Sequence, residues 1–255
     1  MITRFRLIVL EFILFMIFSH LASAQLPLIT DNTGTQGKGN GQIEISNGVG
    51  YHNEHRCIEN SSEISPVLTF GVFDNTDFVV GFPFLNTSVL DDTSTSIVAG
   101  FSDLYMEVKY RFFQNDKISF AFKPGVSCPT GNYDEGLGSG KFSESLFLVM
   151  TAEFQKIFIN GNLGYLRNEN KCGDALNIWL ASVGADLSLS DEFHAVLNTG
   201  IEKNPNITEN TAPVFGLAGF YYLINKNCEI SLGYKHGITK AETNHAFLYG
   251  ITFRF

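Results

Sequence analysis

Between His245 and Phe255 large apolar side chains occupy every second position, Phe247, Tyr249, Ile251, Phe253 and Phe255, while Ala246, Gly250, Thr252 and Arg254 stand between them. A period of two sends these sets to opposite faces of an extended strand. The same alternation sets Leu104, Met106, Val108, Tyr110 and Phe112 against Asp103, Tyr105, Glu107, Lys109 and Arg111. It recurs with Ile230, Leu232 and Tyr234 against Glu229, Ser231 and Lys235. No stretch after Gln25 sustains the helical period of about 3.6 residues. Strands are expected near residues 41–51, 63–73, 77–86, 101–113, 117–127, 143–154, 157–167, 175–187, 192–202, 213–224, 228–236 and 245–255. The connections alternate: 52–62, 87–99, 128–142, 168–174, 203–212 and 237–244 are long, whereas DNT, QND, QK, SLSD and NKN are short.

An even number of antiparallel strands, short turns at one end and long loops at the other is the rhythm of a bacterial outer-membrane barrel. Ten residues at about 3.3 Å each, tilted near 40°, cover about 25 Å, the height of the apolar band of such barrels. Closure also removes the unpaired edges that lipid cannot satisfy. The expected fold is therefore all-β, a transmembrane antiparallel up-and-down barrel of about 12 strands, with both termini at the periplasmic end. Aromatic residues ending several apolar faces, Phe70, Phe82, Phe84, Tyr165, Tyr221 and Phe255, suit interfacial girdles. The alternative is a secreted sandwich or lipocalin-like barrel, which would turn the same apolar face inward.

The first residues bear on the compartment. Arg4 and Arg6 precede an apolar run from Leu7 to Phe18, and Ala22, Ser23 and Ala24 offer small residues for cleavage before Gln25. The run is broken by Glu11 and is too short to span a bilayer as a helix, which takes about 20 residues. Residues 1–24 are expected to be a cleaved signal peptide, 25–40 a lead-in or a plug, and 41–255 one barrel domain in the outer membrane of a Gram-negative bacterium. Without Arg4, Arg6 and Glu11 the 17 basic and 26 acidic residues become 15 and 25, a formal charge near −10. Such a balance excludes nucleic acid as a partner. Cys57, Cys128, Cys172 and Cys228 show no metal-ligand spacing, and an exported chain could pair them in any of three ways.

The segments AGFSDLYMEVKYRFF, FKPGVSCPTGNYDEGLGSGKFSESLFL and FINGNLGYLRN resemble the phenol meta-pathway degradation family, described as outer-membrane transporter-like barrels. Gly100 to Asp103 leading into Lys109 to Arg111, and PGVSxPTG followed by GLGSGK, carry most of that resemblance, with Cys128 where an aliphatic residue is usual before the PTG. It implies a genetic association with breakdown of aromatic compounds, and transport of small organic solutes. The aromatic C-terminus, Phe255 after Phe253 and Ile251, resembles the signal by which such proteins engage the barrel assembly machinery. Lipid of the outer membrane is the remaining expected partner.

No constellation of catalytic residues stands out, and the chain is not expected to be an enzyme. GLGSGK fails as a phosphate loop because Glu135 stands where the first glycine is required and Phe142 follows Lys141. A Ser and His lipase pair is the enzyme alternative, yet there is no GxSxG elbow. Of the histidines only His194 falls on the polar face of a strand, and His52, Glu54 and His55 are weak metal-ligand candidates. No cofactor or metal is signalled. What remains is the lumen. Alternation assigns Glu44, Glu107, Lys109, Arg111, Lys123, Glu153, Asp186, Lys235 and Arg254 to it. Lys109, Arg111 and Lys123 would form a basic wall for solute, with Glu107 and Arg254 as further lumen candidates. A non-conducting structural barrel sealed by its own salt bridges is the alternative.

Overall fold

The computed structural model describes residues 26–54, 57–91 and 94–255; the side chains of 54, 57, 91 and 94, and the expected signal peptide, lie outside that description. Fourteen strands are present among the described residues: β1 Gly41–Glu54, β2 Cys57–Phe73, β3 Thr76–Gly81, β4 Phe84–Asp91, β5 Ser94–Phe101, β6 Leu104–Gln114, β7 Ile118–Cys128, β8 Ser143–Phe154, β9 Ile157–Arg167, β10 Asn177–Ser188, β11 Phe193–Glu202, β12 Val214–Asn225, β13 Cys228–Gly237 and β14 His245–Arg254. β1 pairs with both β14 and β2, which closes the sheet into a barrel.

Two wall strands are broken. The inner half of β2 pairs with β3 and its outer half with β4, so β3 and β4 are two halves of one strand interrupted at Phe82 and Pro83. Proline cannot donate to the ladder, which accounts for a break there. β5 and β6 follow the same path on the next strand, pairing with β4 and β3 and interrupted at Ser102 and Asp103. Counted along the wall, the described residues form twelve antiparallel strands, as the alternation predicts. The expected loops 52–62 and 87–99 are a correction: β1 and β2 run to Glu54 and from Cys57, and β4 and β5 fill most of 84–101. Their Ser, Thr and Asn content reads as loop, but mutual pairing satisfies the backbone and keeps them extended.

Which face is outside separates a membrane barrel from a soluble one. Phe247, Tyr249 and Phe253 are 56, 46 and 44 % exposed, whereas Ala246 and Thr252 on the same strand are buried. Large apolar side chains cover the outside on every wall strand and most charged ones are inside, so the secreted alternative falls. At about 25 cal/mol per Å2 a protein leaves this much apolar area uncovered only where lipid covers it. Short turns and both ends of the barrel wall lie at one rim; there Gly41 N–H donates to the Phe255 carbonyl at 2.7 Å and Phe255 N–H to Gly41 O at 2.9 Å. Phe70, Phe82, Tyr165 and Phe255 face outward as expected of girdle residues, joined by Trp179. Tyr221 does not: it points into the lumen and is buried. The run VFGLAGFYYL is apolar on both faces, so alternation could not fix its parity.

Candidate functional site

The lumen is occupied by the chain's own N-terminal residues. Leu26 lies against Gly250 of β14 and Pro27 against Gly219 and Gly233 of β12 and β13. A Cβ at Gly219 would come within 2.7 Å of Pro27 Cγ, and one at Gly233 within 2.9 Å of Pro27 Cβ, so this part of the wall is glycine where the segment presses on it. Leu28 is buried in an apolar cluster with Val196, Leu217 and Tyr221. The Asn198 side chain accepts from the backbone N–H of Ile29 at 2.8 Å and of Thr30 at 3.1 Å, and donates to Thr30 Oγ1. Thr33 N–H donates to Thr151 Oγ1 of β8 at 3.0 Å, and its hydroxyl bonds Ser119 of β7. Gln36 N–H donates to the Asp77 carboxylate of β3. The segment thus follows the inside of the wall from β14 round to β3, as a strap, before turning into β1.

Its charged centre is Asp31, which is wholly buried. Lys109 Nζ lies 2.8 Å from Oδ1 and Lys123 Nζ 3.1 Å from Oδ2; Lys123 is also 3.3 Å from Glu107. With its nitrogen turned to the Asp31 carbonyl, the Asn162 carboxamide donates to it at 3.0 Å and accepts the Asp31 N–H at 2.8 Å. Lys109 also donates to the Asn32 carbonyl. Burying ions this way is tolerated only when each is paired and hydrogen-bonded.

The sequence-predicted lumen residues therefore separate into groups. Glu107, Lys109 and Lys123 come together, but around Asp31 rather than as an open basic wall, because the strap brings a carboxylate to them. Arg111 stands apart, half-buried at the short-turn rim, where it reaches the Asp74 carbonyl at 3.4 Å. Arg254 pairs with Glu229 at 2.8 Å and with Gln42 at 3.0 Å on the far side of the β1 and β14 seam. Glu153 is exposed at the short-turn end. Lys235 pairs with Glu242 at 2.9 Å. Sequence reasoning missed Asp31, whose partner Lys109 is 78 residues away, and it missed that the lumen has apolar parts. A second apolar cluster, with Val79, Tyr105, Phe147, Val149 and Ile178 among its members, is packed inside the barrel.

The long loops complete the closure. Asp103 accepts from Gly131 N–H at 2.9 Å and from Ser139 N–H at 2.8 Å, while Leu104 N–H donates to Thr130 Oγ1 at 2.8 Å. These are the residues of GFSD, PTG and GLGSGK, so the motifs that stand out in the sequence are one folded clamp at the outer mouth. Leu137 in the same loop is buried. Around His194, Asp186 Oδ1 and Ser188 Oγ lie 2.9 and 3.2 Å from the same nitrogen, Nδ1. A nucleophile relay needs serine and carboxylate on different ring nitrogens. Tyr221 stacks on the ring at 4.4 Å and donates to Asp186 Oδ2 at 2.6 Å, a packed structural set. His52 lies in β1 with its side chain buried, and the described residues hold no group of three or more potential ligands for a metal ion. The side chains of Glu54 and His55 lie outside the described residues. Cys128, Cys172 and Cys228 carry free thiols.

A closed twelve-stranded wall, apolar outside, with charged pairs and an internal strap inside, is the fold of outer-membrane β-barrels. The chain belongs to the family described as "Putative MetA-pathway of phenol degradation", which it matches over residues 29–255. Its fold is similar to that of the COG4313 outer membrane channel from Pseudomonas putida F1, at 13 % identity with a TM-score of 0.65, covering 91 % of this chain and 97 % of that one. The KdgM porin is similar at 7 % identity and a TM-score of 0.59, with 84 and 99 % covered. The translocator domain of the autotransporter NalP from Neisseria meningitidis gives 12 % identity and a TM-score of 0.54, with 85 and 88 % covered. No curated protein matches the sequence.

Proposed function

We propose that the chain is an outer-membrane channel for small organic solutes, aromatic compounds included, which opens when the strap leaves the lumen. The observation that carries this reading is the strap itself: a continuous segment of the chain runs through the lumen beside the wall's own apolar cluster, and the one charged side chain between Leu26 and Gln36, Asp31, is buried between Lys109 and Lys123. A removable obstruction flanked by apolar clusters suits a path for solutes that are partly apolar. Membership of a family named for phenol degradation and a fold shared with a named outer membrane channel support it. The reading includes residues 1–24 as a cleaved signal, 25–40 as the plug and Phe255 as the assembly signal.

The test compares the mature chain with one lacking residues 26–36, both reconstituted in planar bilayers and in liposomes. Heat-modifiable gel mobility reports that each has formed a barrel. The intact chain should show rare, small conductance steps, and the shortened chain sustained ones together with entry of aromatic acids into liposomes. A shortened chain that folds and stays silent refutes the reading, and leaves a structural barrel sealed by its own core.

A further inference from the structure

On the lipid-facing side of the wall, β7 to β12 enclose a groove of about 680 Å3, the size of a small-ligand site, and its lining is almost wholly apolar. Gly161, Ala181 and Thr199 form its low floor, while Phe120, Met150 and Val214 rise at its sides. These are outward positions in register: Leu163 stands opposite Ala181, Ala181 opposite Ile201, and Val183 opposite both Gly161 and Thr199. Elsewhere the outward face carries bulky side chains, as on β14 with Phe247, Tyr249 and Phe253.

What lies along the same strands toward the long loops gives the groove a polar end. One step outward, Tyr165 faces Trp179, both about half exposed, at the level of an aromatic girdle. The next step pairs Arg167 with Asn177. Arg167 Nη1 donates to Asn177 Oδ1 at 3.0 Å, and Lys203 Nζ donates to the Asn177 carbonyl at 2.9 Å, so both cations flank one residue. Lys141 joins them through Glu169, 3.6 Å away, and Glu169 also pairs with Arg167 at 2.7 Å. Glu144 is the cross-strand neighbour of Arg167. From Leu163 at the groove to Arg167 is four residues, about 13 Å along the strand.

An apolar groove at acyl depth, an aromatic belt above it and cations above that match an amphipathic anion standing in the outer leaflet. A second copy of the same face fits poorly, since a twofold contact would set groove against groove. We propose that this face binds a phosphorylated, acylated glycolipid of the lipid A type, with one acyl chain along Gly161, Ala181 and Thr199 and a phosphate between Arg167 and Lys203. Lys203 Nζ, now on the neutral Asn177 carbonyl, would gain a charged acceptor there, and Arg167, already paired with Glu169, would turn to the phosphate the Nη1 that now donates to Asn177 Oδ1. The site is independent of the lumen and of whether the barrel conducts.

The experiment uses the full mature chain, delipidated in detergent, offered equal amounts of lipid A and phosphatidylglycerol and read by native mass spectrometry. Two variants are compared, Arg167→Gln with Lys203→Gln, and Ala181→Phe, which fills the groove while remaining an acceptable residue toward lipid. Wild type should retain lipid A in preference to phosphatidylglycerol. The charge variant should lose that retention by about tenfold or more, and the groove variant should lose it without any change in cation content. Equal retention of the two lipids by wild type, or either variant holding as much lipid A as wild type, overturns the proposal. Heat-modifiable mobility certifies each variant as folded, and Thr199→Leu replaces Ala181→Phe if the latter fails that check.

Discussion

Asp31→Asn is the sharpest perturbation of the proposed gate, because it removes one charge and almost no volume. Asp31 and Lys123 are wholly buried and the Lys109 side chain is 6 % exposed, so water gives little compensation for the lost carboxylate. Removing one partner of a buried ion pair costs about 3–5 kcal/mol. The lower end applies here, since Glu107 still stands 3.3 Å from Lys123 and shares the load. About 3 kcal/mol corresponds to roughly a hundredfold shift of the strap from docked to released. The remaining strap bonds, Asn198 to Ile29 and Thr30, Thr33 to Thr151 and Gln36 to Asp77, are unaltered, so release should stay a minor but measurable state. Two measurements read it. Amide hydrogen exchange of Thr30 to Thr33 should quicken by about two orders of magnitude, and open time in planar bilayers should rise in proportion. Lys38→Ala, in the exposed part of the strap, should change neither. Unaltered exchange in the Asp31→Asn strap would refute the ion-pair latch, whatever the conductance does.

At Gly71 a Cβ would fall 1.8 Å from the Gly37 carbonyl oxygen, where the strap crosses β2 and Gly39 N–H bonds Gly71 O at 2.8 Å. Gly71→Ala should therefore cost about 1–3 kcal/mol of overpacking, seen as a lower urea midpoint, and a wild-type midpoint would show that the crossing yields freely. Burial, with Asp174 and Asp103 adding to it, pushes the Cys172 thiol up to about 11. The neutral thiol is the favoured form, so its thiolate fraction at pH 8 is roughly two orders of magnitude below that of an ordinary cysteine. Maleimide labelling of Cys172 should keep accelerating beyond pH 9.5; a plateau near pH 9 would contradict that environment.

The wall was legible because lipid imposes one rule on every residue of a strand. β8 and β9 end where alternation predicts, at 143–154 and 157–167, since nothing but the period-two pattern decides them. Alternation also placed Lys109, Lys123 and Glu107 inside. It failed where both faces are apolar, as at Tyr221, and where a strand is built of Ser, Thr and Asn paired with its neighbours, as in β4 and β5. The strap left no periodic trace at all. Residues 26–40 contain few apolar side chains and no regular element, and their contacts are spread over several wall strands, with Asn198 on β11, Thr151 on β8 and Asp77 on β3 among them. Asp31 has no partner close in sequence to announce it, and its role comes entirely from closure of the barrel around it.

In the proposed channel the residues that hold the strap and those that meet a solute are the same. While Asp31 is docked, Lys109 and Lys123 spend their charge on it, and the lumen offers no free basic wall. Release withdraws one carboxylate and leaves both ammonium groups on the wall with Glu107, Glu44 and Asp77, so the lumen shifts by one unit toward positive charge. Any preference for anions such as phenolates or aromatic acids must then rise with opening rather than precede it. The strap-deleted barrel isolates that effect, because Lys109→Ala within it removes a charge from an already open path. If the lysines act as the filter, this change lowers anion preference and leaves the size of the conductance step nearly intact. If they act only as a latch, removing the strap has already spent their role, and Lys109→Ala changes nothing.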